Sequence, residues 1–218
     1  MSSITAELAR PAIARRPWTR LVGPLGGLGL VAGLVGIFVT PAGDDTGETP
    51  REVVAYAASH EGWTVAIALF GLLSIALGAA FVAGLHARLR SVATATESAL
   101  VLIGGLAFTL CFMLCWTLWT APLVDSPEDP VRALAQAEAY LGYDDVGWFL
   151  LGAAGIAAAV MAVPASIAAI RAGLPAWLGW LGVAAGIASL ATVAFFGMFA
   201  WTAWIAVASI VMLVARGE

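Results

Sequence analysis

The chain has 218 residues, 61% of them apolar and only 11% charged, with a net charge of −4. A soluble domain carries roughly a quarter charged residues, so this chain, with a mean hydropathy of +0.96, lacks the polar surface to cover itself in water and reads as an integral membrane protein. All ten basic residues are arginine, too few and too scattered for a nucleic-acid surface.

Residues 1–20 form a tail carrying Arg10, Arg15, Arg16 and Arg20. The apolar run 21–40 has the roughly 20 residues that a membrane crossing needs. It is longer than a usual signal core and no small-x-small site follows, so it is expected as a retained helix. Asp44, Asp45, Glu48, Glu52 and Glu61 make the next segment acidic. Within it Thr49-Pro50-Arg51-Glu52 has the pattern of a capping box with proline at the first helical position. The cap opens about ten residues in which Val53, Val54 and Ala57 fall at helical spacing, the pattern of a short amphipathic helix. "SHEGW", 59–63, then sets His60 beside Glu61 at the start of a second span, 63–85, which Arg88 and Arg90 follow.

Thr94-Ala95-Thr96-Glu97 repeats the capping pattern before a third span, 99–121. A second acidic segment holds Asp125, Glu128, Asp129, Glu138, Asp144 and Asp145, and Asp129-Pro130 opens a second amphipathic stretch with Val131, Leu134, Ala135 and Leu141. The fourth span, 146–170, contains Pro164 and ends at Arg171. The last apolar run, 176–215, would extend about 60 Å as one helix, twice the hydrocarbon thickness. It is expected to be two helices turning near Gly197, where no polar residue marks the turn.

Six spans put eight of the ten arginines on one side. They leave only Arg51 and Arg132, with eleven acids, on the other. The positive-inside rule then gives a bacterial plasma membrane protein with both termini cytoplasmic. The expected fold is all-α: an integral membrane six-helix bundle of three hairpins with two amphipathic outer cap helices, comprising the tail 1–20 and a transmembrane domain 21–218.

Two units, about 21–90 and 99–171, repeat one order of features. Each has a Gly-Gly-Leu start, a proline at the span's end (Pro41, Pro122), a second proline (Pro50, Pro130) and an arginine (Arg51, Arg132). Tyr56 or Tyr140 and a Gly-Trp pair (Gly62–Trp63, Gly147–Trp148) complete it. They run in the same sense, as parallel repeats about the membrane normal would, with 176–215 as a loopless third hairpin.

Reactive clusters are sparse. His60 and Glu61 lack the second histidine of H-E-x-x-H, and His86 lies about 39 Å further along the helix. Asp144 and Asp145, at the matching junction of the second unit, join His60 and Glu61 in an acid–base set only if the two junctions meet. Cys111 and Cys115, one turn apart in a span, read as small hydrophobes at a helix interface. Six tryptophans fall near the outer boundary and Trp18, Trp177 and Trp180 near the inner one, an aromatic belt. Trp116 and Trp119, with Trp63 and Trp148, are the candidate ligand-lining group. No ionisable residue falls near mid-bilayer, which counts against ion-coupled pumps. No cofactor or metal is expected.

"LPAWLGWLG", 174–182, and the proline-capped "TPREVVAYAASHEGW" resemble segments of uncharacterised six-helix membrane proteins of actinobacteria, a family known as a domain of unknown function. The resemblance implies six spans in a plasma membrane and carries over no substrate, cofactor or catalytic residue. The leading expectation is therefore a non-enzymatic protein, in contact with the lipid bilayer, that binds a partner protein or apolar ligand through its outer face. The alternatives are an outer-face enzyme using His60, Glu61, Asp144 and Asp145 on a lipid-like substrate, and a small-molecule transporter built on the parallel repeats.

Overall fold

The computed structural model describes residues 19–39, 48–124, 128–194 and 196–214, and all regular structure among them is helical. The tail 1–18 with Trp18, together with Pro41, Asp44, Asp45, Asp125 and Arg216, lies outside the described residues. The helices are α1 (Thr19–Val39), α2 (Pro50–Ser59), α3 (Glu61–Leu89), α4 (Ala95–Val124), α5 (Pro130–Arg171), α6 (Ala176–Ser189) and α7 (Phe196–Val214). Four of them, α3, α4, α5 and α7, are long and apolar enough to cross a membrane; α1 and α6 contribute the shorter apolar stretches Leu21–Gly36 and Ala176–Thr192.

Apart from the short α2, the helices form a closed ring. α1 packs on α3, α3 on α4, α4 on α5, α5 on α6 and α6 on α7, and α7 returns to α1. Two glycine series lie at these contacts. Gly29, Gly33 and Gly36 of α1 face Leu77, Ser74 and Phe70 of α3, while Gly179, Gly182 and Gly186 of α6 face Ile170, Ser166 and Val163 of α5. Lipid tails are as apolar as leucine, so such helices associate through close packing, which small residues permit. Phe81, Phe108, Met161, Trp201 and Ile205, all fully buried, fill the centre.

The capping patterns hold. Thr49 accepts from the Glu52 amide while the Glu52 carboxylate accepts from the Thr49 amide, at 3.4 and 3.0 Å. Thr94 and Glu97 do the same at 3.2 and 2.8 Å. Asp129 accepts from the Val131 amide at 3.0 Å. α2 buries Val53 and Ala57 against Leu123 and Ala137, a second small core that roofs the acid-rich end of the ring.

Two expectations change. The second cap is no separate helix but the first turns of α5, whose 42 residues extend about 63 Å. The first unit breaks at His60 (φ −127°, ψ 23°). There Ser59 Oγ donates to the Tyr56 carbonyl at 3.0 Å and the His60 Nδ1 lies 3.1 Å from the same oxygen. In the second unit the matching residues are Asp144 and Asp145. Carboxylates have no proton to give a terminal carbonyl, and negative charge is unfavourable at a helix C-terminus, so the helix runs on.

The last turn also comes earlier than Gly197, in a short 3-10 segment, Leu190–Ala194, with Ala191 off helical geometry. Ser189 and Thr192, both fully buried, donate to the Ala185 and Ser189 carbonyls there. Gly197 is instead the point where α7 passes the backbone of Ala188, Ala191 and Thr192. Because the turn is displaced, Trp201 and Trp204 fall inside the bundle rather than in an interfacial belt.

α5 and α6 join through a left-handed cap. The Gly173 amide donates to the Ile170 carbonyl and the Leu174 amide to the Ala169 carbonyl, both at 3.1 Å. Gly173 has φ 88°, the geometry that glycine supplies at a helix end. A Cβ here meets nothing within 4 Å. Gly173→Ala is therefore expected to cost about 1 kcal/mol through backbone strain alone. Gly142→Ala, in equally open space inside α5, is expected to gain about 0.5–1 kcal/mol. Unfolding midpoints in mild detergent check both signs.

Candidate functional site

At the arginine-rich end the ring leaves a groove. The cap at Gly173 turns α6 back along α5, and Gly179 and Gly182 let it lie against Ile170 and Ser166. α3 and α7 form the other walls around a cavity of about 290 Å³, near the lower end of the roughly 300–1,000 Å³ typical of ligand pockets. Leu85, Leu89, Leu178, Val207 and Met212 make it apolar, and Arg88 is its one charged lining residue among those described. Along α5 the groove runs from Ala172 down to Ala165, about 10 Å at the helical rise.

Ser166 and Trp204 line the deep end and are only 5% and 8% exposed. The hydroxyls of Ser74, Thr109, Thr117, Thr120, Ser189 and Thr202 all donate to the carbonyl four residues back. The Ser166 Oγ makes no such bond, nor does the buried Ser209 Oγ, and neither the Ser166 Oγ nor the Trp204 Nε1 has a hydrogen-bond partner among the described residues. Trp204 is held edge-on to Phe81 at 6.0 Å between ring centroids. The groove thus offers two fixed donors at its floor and a guanidinium on its wall. The same end is tied together by an ion pair from Arg171 to Glu97, and the His86 Nδ1 lies 3.4 Å from the Ser98 Oγ.

The residues singled out from sequence lie mainly at the other end. His60 is a joint between two helices: its amide caps α2 by donating to Tyr56 and Ala57, and its carbonyl accepts from the Trp63 and Thr64 amides that begin α3. Its ring stacks on Tyr56 at 4.4 Å, with Nδ1 also 2.8 Å from the Ser59 Oγ. Glu61, Asp144 and Asp145 are exposed. Among the described residues no group of three His, Cys, Asp or Glu side chains is placed to hold a metal ion.

The tryptophan group separates. Trp119 and Trp148 meet edge-on at 5.4 Å, Trp119 resting on Gly147 of α5. Trp116 rests on Gly71 of α3 and donates to the Ala68 carbonyl at 3.3 Å. Both act as wedges between helices. Trp63 stands apart, 41% exposed, and Trp177 and Trp180 are exposed as an interfacial belt requires. Cys111 and Cys115 are free thiols packed in or against the main core.

Glu52 is the titrating group that matters at the roof. The Thr49 hydroxyl, then the Thr49 and Glu48 amides, hold its carboxyl below the usual value of 4.5. A lowered folded-state pKa means its contribution is complete above 4.5 and lost as pH falls through the lower folded value. Amide exchange of the first turn of α2 should therefore quicken in that acid window, and Glu52→Gln, which keeps an acceptor but no charge, should remove the dependence.

No protein-family model, curated protein or solved structure matches the chain. Arg88, Ser166 and Trp204 carried little signal in the sequence. Ser166 is the single hydroxyl between Gly147 and Arg171, but serines in spans ordinarily bond their own helix, and Trp204 looked like another belt residue.

Proposed function

We propose that this protein is a six-span bacterial plasma membrane protein that binds an amphiphilic ligand in the groove between α3, α5, α6 and α7. The three hairpins 21–90, 99–171 and 176–215 would each enter and leave on the cytoplasmic, arginine-rich side. Several lengths support that topology. α1 has 21 residues, about 32 Å, and the tip of the last hairpin packs Thr192 on Gly155 of α5. Gly155 lies about 24 Å from Arg171 along the helix, most of the roughly 30 Å hydrocarbon layer. The resemblance to the actinobacterial six-helix family and the parallel repeat belong to the same reading. So does the pairing of Pro50 and Pro130 as openers of matched caps.

The observation that carries the binding role is the pair of unpartnered donors, Ser166 and Trp204, at the floor of an apolar groove. Buried polar groups are ordinarily satisfied; Trp119, Trp201 and Ser209 also lack partners among the described residues, but Ser166 and Trp204 are the pair that lines a cavity, which suits a ligand that accepts hydrogen bonds. The filled centre of the ring, with Trp201 and Phe108 buried, does not favour alternating access. The acid–base alternative gains little from a His60 whose Nδ1 is engaged by Ser59 and Tyr56. Binding of a protein partner at the acid-rich end is the second reading, supported by Val131 and Leu134, which stay exposed on the projecting part of α5.

Native mass spectrometry of gently extracted protein tests the groove. The wild type should retain a small-molecule mass that Ala169→Phe, placed in the groove wall, expels without loss of helical circular dichroism. A retained mass that Ala169→Phe leaves in place would sink the reading.

A further inference from the structure

We infer that the ligand is a glycerophospholipid drawn from the surrounding bilayer, its phosphate facing Arg88 and its ester carbonyl accepting from Ser166 and Trp204. The inference rests on the groove being a binding site and adds the chemical class of its occupant. Three features select that class.

The walls are apolar along about 10 Å, so the occupant is a hydrocarbon chain rather than a soluble anion. The charged lining residue is an arginine, whose guanidinium matches a phosphate oxygen pair, an acceptor that every glycerophospholipid carries and a phosphate-free diacylglycerol lacks. The two floor donors, Ser166 Oγ–H and Trp204 Nε1–H, need an acceptor beneath the charged group. An ester carbonyl has two lone pairs and sits below the phosphate in a glycerophospholipid. The cavity of about 290 Å³ holds the ester region and part of one chain, so the rest of the lipid stays in the bilayer.

Charge disfavours the other occupants. Residues 1–20 carry four arginines against the single acid Glu7, so the chain's own tail is repelled by Arg88. A second copy presenting the same arginine-rich end is repelled likewise.

Native mass spectrometry of the full chain in mild detergent, given equimolar phosphatidylglycerol and diacylglycerol, tests this. The wild type should hold phosphatidylglycerol over diacylglycerol by about ten-fold, the scale of one charge-assisted contact. Arg88→Gln should bring that ratio near one, and Ser166→Ala with Trp204→Phe should lower occupancy by both lipids several-fold while Arg88 keeps the preference. Equal binding of the two lipids by the wild type overturns the phosphate assignment and leaves the groove reading standing. So does a preference that survives Arg88→Gln. Lipid occupancy unchanged in the double variant overturns the carbonyl contact. A wild type that carries no mass sensitive to Ala169→Phe removes both readings together.

Discussion

Replacing Trp201 by alanine should lower stability by about 3 kcal/mol, whereas phenylalanine at the same position should leave it unchanged or raise it. Trp201 is fully buried and packs edge-on to Phe108 at 4.9 Å and Phe112 at 5.9 Å. In a soluble protein its loss would forfeit both transfer from water and packing. For a helix whose unfolded reference is still in lipid, the transfer part falls away and the packing part stays. Truncation removes about 140 Å³, which at about 24 cal/mol per Å³ of unfilled cavity gives the figure above. The indole also has a cost of its own, because its Nε1 is buried without a hydrogen-bond partner among the described residues. Phenylalanine keeps most of the ring contacts and removes that unmet donor. Midpoints of SDS titration in mixed micelles measure both changes. A phenylalanine variant as weak as the alanine one would show that the indole is held by a polar contact after all.

Local chemistry was legible in the sequence wherever a few neighbouring residues decide it. Thr49 with Glu52 and Thr94 with Glu97 define helix starts by the reach of one side chain, and both boxes form. The glycine series of α1 and α6, spaced three or four residues apart, lie on the packed helix faces. What depends on distant partners was not legible. The two outer junctions look alike as "SHEGW" and "YDDVGW", yet one breaks and the other stays helical, because only Ser59 and His60 can give a proton to the Tyr56 carbonyl. The tip of the last hairpin was assigned to Gly197. The glycine is there for contact with the turn, and the hydroxyls of Ser189 and Thr192, one turn earlier, serve the turn itself. The groove was invisible for the same reason: Arg88, Ser166 and Trp204 come from three helices and acquire meaning only when the ring closes.

Closure of that ring depends most on the crossing of α4 and α5, its most extensive contact, and Gly104→Leu should be the variant that opens it. A Cβ at Gly104 would stand 2.7 Å from the Met161 amide nitrogen, 2.9 Å from the Ala157 oxygen and 3.0 Å from the Val160 carbonyl carbon. All three are backbone atoms of one helix, so no rotamer change relieves the overlap and the helices must separate. Overpacking of this kind costs about 1–3 kcal/mol for small additions. Alanine is expected inside that range and leucine at or above its top. Gly78 supplies the contrast. Its Cβ would meet the Leu30 Cδ2 at 3.1 Å, the free end of a flexible side chain that can turn aside. Gly78→Ala should therefore fall within about 0.5 kcal/mol of the wild type, the gain in helix propensity offsetting the crowding. If SDS midpoints of Gly104→Ala and Gly78→Ala drop equally, the close approach of α4 to α5 is not what closes the ring. Separation of α4 from α5 also displaces Ala165 and Ser166 from the groove, so Gly104→Leu should lose the retention of the amphiphile proposed for the groove together with stability, while Gly78→Ala keeps both.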